Sequence, residues 1–204
     1  GDVTTGCTHG DDIADGPRIA VVGTSGSGKT VLAEQVAQQL GIRHVELDAL
    51  YWGPDWEPVP FDVFRQQITE ALNGYAWVVD GNYSKVRDIA WARVQTVVWL
   101  DYPLVVVLAR LICRTVRRSL TGEELWSGNR EELCRALASR DSIVLWALRT
   151  YWRRRREYPT LAGQPQYAHL TFVRLKSPGA ARKWLAGLCD GISSPGQGRE
   201  RERK

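Results

Sequence analysis

Residues Gly23-Thr24-Ser25-Gly26-Ser27-Gly28-Lys29-Thr30 have the spacing G-x-x-x-x-G-K-T, and each fixed position has its own electrostatic task. Glycines let successive backbone N–H groups curl around phosphate oxygens at the N-terminus of a helix. The Lys29 ammonium can then meet β- and γ-phosphates, and the Thr30 hydroxyl can complete the shell of a Mg²⁺ ion beside them. Gly23, Thr24, Ser25, Gly26, Ser27, Gly28, Lys29 and Thr30 are therefore the expected nucleotide-binding set. Phosphotransferases, GTPases and motors share this motif, so the reaction has to be read from other residues.

Two carboxylates narrow it. Asp80 ends the apolar run Trp77-Val78-Val79 and precedes Gly81, a place from which it would reach the metal through water, opposite Thr30. A plain Asp-Gly turn is the alternative. Asp48 stands at the corresponding place after the preceding apolar run, where it could orient or deprotonate an acceptor hydroxyl. Tyr51, Trp52 and Trp56 offer flat walls for a ring, or else core packing. Asn82, Tyr83 and Arg87 follow Asp80 on the same loop and are expected to face the same cleft, so Asp48, Tyr51, Trp52, Asn82, Tyr83 and Arg87 form the expected acceptor set.

Cationic groups are concentrated in residues 110–156, which hold 12 Arg against 5 acidic residues. Arg110, Arg114 and Arg118 recur at four-residue intervals with Arg117 alongside, so at least two guanidiniums share a helix face. Arg114, Arg117 and Arg118 are expected to stabilise charge on a transferred phosphoryl group, with Lys29 and Asp48 as the other catalytic residues. Arg110 and Arg114 are expected to touch the nucleotide; a solvated basic face is the alternative. Farther along, Arg149 and Arg153 to Arg156, with Tyr151 and Trp152, could contact nucleic-acid phosphates and stack on bases, or form a solvated helix end.

These residues need elements to carry them. Arg18 to Gly23 reads as a buried strand and Lys29 to Leu40 as a helix ended by Gly41. The alternation continues with strand His44 to Leu47, helix Phe61 to Leu72, strands Ala76 to Val79 and Val94 to Leu100, and helix Leu104 to Arg118. A polar stretch from Ser119 to Asn129, a long helix from about Arg130 to Arg156, strand Leu170 to Leu175 and helix Ala180 to Leu188 complete it. Such alternation predicts a parallel sheet covered on both faces. Residues 1–16 are expected to be a flexible leader, whose His9, Asp11 and Asp12 read as solvated, and 191–204 a disordered tail.

The 204 residues are 44% hydrophobic and 25% charged, enough for one sizeable core and against wholesale disorder. The run Tyr102 to Ala109 is far short of the ~20 apolar residues of a membrane span. Cys7, Cys113, Cys134 and Cys189 form no C-x-x-C pair, and no signal-peptide pattern opens the chain, so structural thiols in a cytoplasmic monomer are expected. An N-K-x-D guanine-reading motif is absent: Asn129 precedes Arg130. ATP with Mg²⁺ and a small-molecule acceptor are the expected partners.

The blocks G-T-S-G-S-G-K-T (23–30), L-D-A-L-Y-W-G-P-D-W (47–56), W-V-V-D-G-N-Y-S-K-V-R (77–87) and V-V-W-L-D-Y-P (97–103), with R-x-x-R-R (114–118), resemble those of the bacterial topology-modulation proteins. These are adenylate-kinase-like P-loop proteins, and the resemblance spans about residues 17–190. It implies a nucleoside/nucleotide-kinase-like α/β/α fold with a five-stranded parallel sheet, an acceptor-binding part at about 48–73 and an Arg-rich helical lid at about 114–156. It also implies that Lys29, Thr30 and Asp80 handle phosphates and Mg²⁺, that Asp48 contacts the acceptor, and that Arg114, Arg117 and Arg118 belong to the lid hinge. Which arginine meets adenine and which meets phosphate is left open. The family name implies a role in DNA topology, so a nucleotide-dependent nucleic-acid-binding regulator, or an ATPase or switch, stands beside the kinase reading. Gly-Asn-Tyr after Asp80, where adenylate kinases have Gly-Phe-Pro-Arg, points away from a nucleoside monophosphate. It favours a small hydroxyl-bearing or nucleotide-like acceptor.

Overall fold

Arg18–Gly23 (β1) is apolar at successive positions because both of its faces are covered. In the computed structural model, which describes residues 16–121 and 143–188, β1 lies at the centre of a five-stranded sheet. The other strands are Arg43–Glu46 (β2), Trp77–Asp80 (β3), Thr96–Leu100 (β4) and Thr171–Leu175 (β5). Their order is β2-β3-β1-β4-β5 and every pairing is parallel. This is the expected α/β class with its five-stranded parallel sheet.

The period-two alternation of β1 sends its residues into two cores. Ala20 and Val22 join Phe64, Ile68, Trp91 and Tyr158 on one face, and Ile19 and Val21 join Leu32, Val36, Val107 and Ala181 on the other. The first layer is carried by helices α3 (Phe61–Ala71) and α4 (Arg87–Ala92), the second by α1 (Lys29–Leu40), α5 (Leu104–Thr121) and α7 (Pro178–Ala186). Helix α6 (Ile143–Ala162) belongs to both layers: Tyr151 enters the second core, and Tyr158 and Leu161 the first. It therefore passes over the end of the sheet, and the Tyr151 hydroxyl donates to the Tyr102 carbonyl just beyond β4 at 3.1 Å.

Several boundaries differ from the sequence reading. Strand β2 ends at Glu46, and Leu47 opens a short helix, α2 (Leu47–Tyr51), so Asp48 sits in a helical first turn. Helix α5 runs to Thr121, and α6 continues past Arg156 to Ala162 with Pro159 inside it. It does so because Tyr158 and Leu161 still have core to bury, which outweighs the hydrogen bond that proline removes. Of the expected leader (1–16) all residues but Gly16, of the expected lid (about 114–156) residues 122–142, and the expected tail (191–204) lie outside the described residues. Among the described residues no helix is long and apolar enough to cross a membrane. Cys113 is a free, exposed thiol.

Candidate active site

The loop between β1 and α1 follows from its glycines. Gly26 has φ 81° and Gly28 φ 90°, left-handed values that a side chain would strain. A Cβ on Gly26 would also meet the Val107 carbonyl of α5 at 2.9 Å, and one on Gly28 would meet Arg110 Nη1 at 3.1 Å. Gly28 caps α1 without a side chain that would compete for its leading N–H groups. The Lys29 ammonium reaches back to the Thr24 carbonyl at 3.4 Å. Burial lowers its pKa; Asp48 and Asp80 pull in the opposite direction, while Arg154 and Arg114 add to the lowering. The charges of two carboxylates and two arginines thus act on Lys29.

Sheet register builds the metal-side corner. Glu46 of β2 lies directly across from Asp80 of β3, and His44, two residues earlier, points to the same face. Thr30 Oγ1 donates to Asp80 Oδ2 at 2.7 Å and lies 3.4 Å from Glu46 Oε1, while His44 Nε2 meets Asp80 Oδ1 at 3.0 Å. Burial alone would lower the His44 pKa; the hydrogen bond to Asp80 and the charges of Asp80, Glu46 and Glu34 outweigh it and raise it. A hydroxyl with carboxylate oxygens beside a phosphate loop is the all-oxygen donor chemistry that Mg²⁺ takes, so Thr30 and Asp80 fit the ion. Glu46 and His44 were not anticipated from the sequence; the strand alternation of His44 and Glu46 was the available signal.

On the acceptor side, the Tyr83 hydroxyl donates to Asp48 Oδ1 at 2.5 Å. Burial first, then the Asp48 charge and hydrogen bond, push the Tyr83 pKa far above its usual range, so this hydroxyl stays a donor. Tyr83 is stacked at an angle on Tyr51 (4.8 Å between centroids) and edge-on to Phe64 (5.2 Å), with Trp52 edge-on to Tyr51. Tyr51 and Tyr83 thus pack against the first core, while the Tyr83 hydroxyl meets Asp48. The next turn is strained: Asp55 and Trp56 have φ of 55° and 58°, and a bond from Gly53 N–H to the Glu57 carbonyl at 2.8 Å closes it.

Two residues of the expected acceptor set are engaged elsewhere. Arg87 donates to Glu157 of α6 and stacks over Trp91 at 5.0 Å. Asn82 bonds the Gly23 backbone at both its N–H and its carbonyl, and accepts from the Tyr158 hydroxyl at 2.8 Å. Together with Leu47, Tyr83 and Trp91 they line a cavity of about 20 Å³ behind the loop, room for roughly one water.

The arginines separate sharply. Arg110, although exposed, donates to the Ser27 carbonyl at 3.1 Å and lies over Tyr102 at 5.3 Å, so it flanks the phosphate loop. Arg114 acts on Lys29; Arg117 is exposed, and the Arg118 side chain lies outside the described residues. On α6, the run Arg153 to Arg156 is not a uniform basic stripe. Arg154 is 5% exposed and donates to the Tyr158 hydroxyl at 3.3 Å. Arg155 pairs at 2.9 Å with buried Asp101, whose other oxygen takes Arg174 at 2.5 Å. Arg149, Trp152, Arg153 and Arg156 remain exposed. The helix explains this: Tyr151, Arg154, Tyr158 and Leu161 recur at intervals of three and four on the buried face. That spacing was present in the sequence, and it is the signal by which Arg154 and Tyr158 could have been singled out.

No protein-family model matches the chain. Shikimate kinases of Synechococcus elongatus and of a Synechococcus sp. strain are each 27% identical over 143 residues, covering 60% of this chain and 75% of theirs. Among solved structures, the shikimate kinase of Bacteroides thetaiotaomicron superposes with a TM-score of 0.52 at 14% identity, covering 87% of this chain and 99% of that one. That of Acinetobacter baumannii, solved in complex with shikimate, gives 0.50 at 20% identity, with 87% and 93% covered. The chain is thus an α/β P-loop protein of kinase-like fold. The narrower resemblance to topology-modulation proteins rests on the sequence blocks alone.

Proposed function

We propose that the protein is an ATP- and Mg²⁺-dependent phosphotransferase that moves the γ-phosphoryl group to a small hydroxyl-bearing acceptor. One observation supports this reading: beside the phosphate loop Thr30 donates to Asp80, Tyr83 donates to Asp48, and the charges of both carboxylates act on Lys29. Chemistry of this kind is done by positioning and charge stabilisation.

In this reading the loop N–H groups and Lys29 bind the phosphates, and Thr30 and Asp80, with Glu46 beside them, would hold Mg²⁺. Bound Mg²⁺ neutralises charge on the phosphate oxygens. Tyr83 keeps one oxygen of Asp48 occupied, which leaves the other to orient an acceptor hydroxyl and take its proton. Arg154 and Arg114 add positive charge where the transferring group's oxygens gather charge. The shikimate kinases named above act on a hydroxylated small molecule, which agrees with an acceptor of that kind.

The test is transfer of label from γ-labelled ATP, in the presence of Mg²⁺, to a panel of nucleosides, nucleotides and hydroxy metabolites. Asp48→Asn is expected to keep ATP binding and lose transfer; normal transfer by this variant would remove Asp48 from the chemistry. Release of label only as inorganic phosphate would favour an ATPase or switch.

A second reading has one observation behind it. Arg149, Trp152, Arg153 and Arg156 are exposed together on the outer side of α6, with Trp152 58% exposed. Basic groups around an exposed ring suit single-stranded nucleic acid. Such binding would weaken steeply with salt, and binding that is absent or insensitive to salt would exclude it.

A further inference from the structure

The ladder between β1 and β3 pairs Arg18 with Trp77 through to Val21 with Asp80, and the Gly81 N–H lies 3.4 Å from the Val21 carbonyl. Beyond this the two strands part, and Gly23, the first glycine of the phosphate loop, has its N–H and carbonyl taken by a side chain. Asn82 Oδ1 accepts from the Gly23 N–H at 3.1 Å, and Asn82 Nδ2 donates to the Gly23 carbonyl. The carboxamide does there what one more residue of backbone ladder would have done.

The orientation of that amide is determined by what surrounds it. Arg154 can only donate, so the Tyr158 hydroxyl receives from Arg154 Nη1 at 3.3 Å and must pass its own proton onward. It does so to Asn82 Oδ1 at 2.8 Å. Oδ1 therefore faces two donors, and Nδ2 is left to face the Gly23 carbonyl. Tyr158 is 1% exposed, so its hydroxyl is closed off from bulk solvent. The polar relay Arg154, Tyr158, Asn82, Gly23 joins the buried face of α6 to the point where the phosphate loop leaves the sheet.

We propose that Asn82 and Tyr158 are positioning residues that hold the phosphate loop in register with α6, so that the affinity of the loop for phosphates depends on this relay. The proposal rests on the reading of the loop as a nucleotide site. It replaces the expectation that Asn82 faces the acceptor, because both ends of its amide are already committed.

The experiment compares wild type, Asn82→Ala, Tyr158→Phe and the double variant in two ways. The first is amide hydrogen exchange at Gly23 with no ligand. The second is the affinity for ATP and for inorganic tripolyphosphate, which can use only the phosphate-binding part of the site. Gly23 is expected to lose protection in Asn82→Ala and to lose part of it in Tyr158→Phe. Both ligands should weaken by the same factor, roughly tenfold for Asn82→Ala and about threefold for Tyr158→Phe. The double variant should match Asn82→Ala, because Tyr158 acts through Asn82.

Unchanged exchange and affinity in Asn82→Ala would overturn the proposal. So would effects that multiply in the double variant and follow thermal stability, which would indicate a structural role only. Tyr158→Phe keeps the packed ring, so this arm decides the matter if Asn82→Ala does not fold. A wild-type chain that binds neither ligand would refute the nucleotide reading, and with it the affinity half of the proposal. The exchange arm, which uses no ligand, would still decide whether the clamp exists.

Discussion

Lys29 and Arg154 are two cations near enough for the charge of Arg154 to act on Lys29, and they come from regions built in opposite ways. The phosphate loop is local: eight consecutive residues, three of them glycine, carry their own backbone geometry, and Lys29 is placed by the helix that follows. The α6 region is not local. Its four consecutive arginines have near-identical sequence surroundings, yet Arg154 is buried, Arg155 is paired with Asp101, and Arg153 and Arg156 are exposed. A motif fixes chemistry where the backbone does the binding, whereas an arginine acquires its role from whatever the fold packs against it.

That contrast can be broken most directly at its local end. Lys29→Ala should reduce phosphoryl transfer by more than about 100-fold, with loss of ATP binding measured by titration. Retained binding would mean that the backbone N–H groups hold the phosphates without the ammonium. At the nonlocal end, Arg154→Ala should lower transfer by roughly 100-fold, whereas Arg153→Ala and Arg156→Ala should stay within about twofold. Equal effects across these variants, measured by the same label-transfer assay, would dissolve the distinction between the arginines.

Asp101→Asn sharpens the comparison through stability. It strips Arg155 and Arg174 of a buried partner, and because both arginines can turn to solvent, the expected loss is about 2 kcal/mol by denaturant unfolding. A smaller loss of transfer than that of Arg154→Ala is expected of Tyr83→Phe. It removes only the hydroxyl on Asp48, so transfer should fall roughly tenfold with ATP affinity unchanged. An equal fall in ATP affinity would place Tyr83 on the nucleotide side instead.

Much of the site was legible because its signals are short-range. The glycine loop, Lys29, Thr30 and the strand-end position of Asp80 follow from spacing and from an apolar run that stops at an acid. Asp48 was legible by the same rule, although the chain there is already helical rather than just past a strand. Glu46 and His44 were hidden because their significance depends on strand pairing: only the β2–β3 register sets Glu46 against Asp80. For Asn82 and Arg87 the sequence suggests only a place at the acceptor cleft, since nothing near them in sequence discloses Tyr158 or Glu157, which lie 76 and 70 residues away.

By itself the sequence determined the alternation of strands and helices, the parallel α/β class and the phosphate loop, because hydrophobic period and glycine conformational freedom are properties of contiguous residues. Tertiary structure decided which of many like charges come near Lys29 and which stay in water. That choice depends on burial and on partners brought from distant elements, and the desolvation of a charge is tolerated only where the fold supplies hydrogen bonds to meet it.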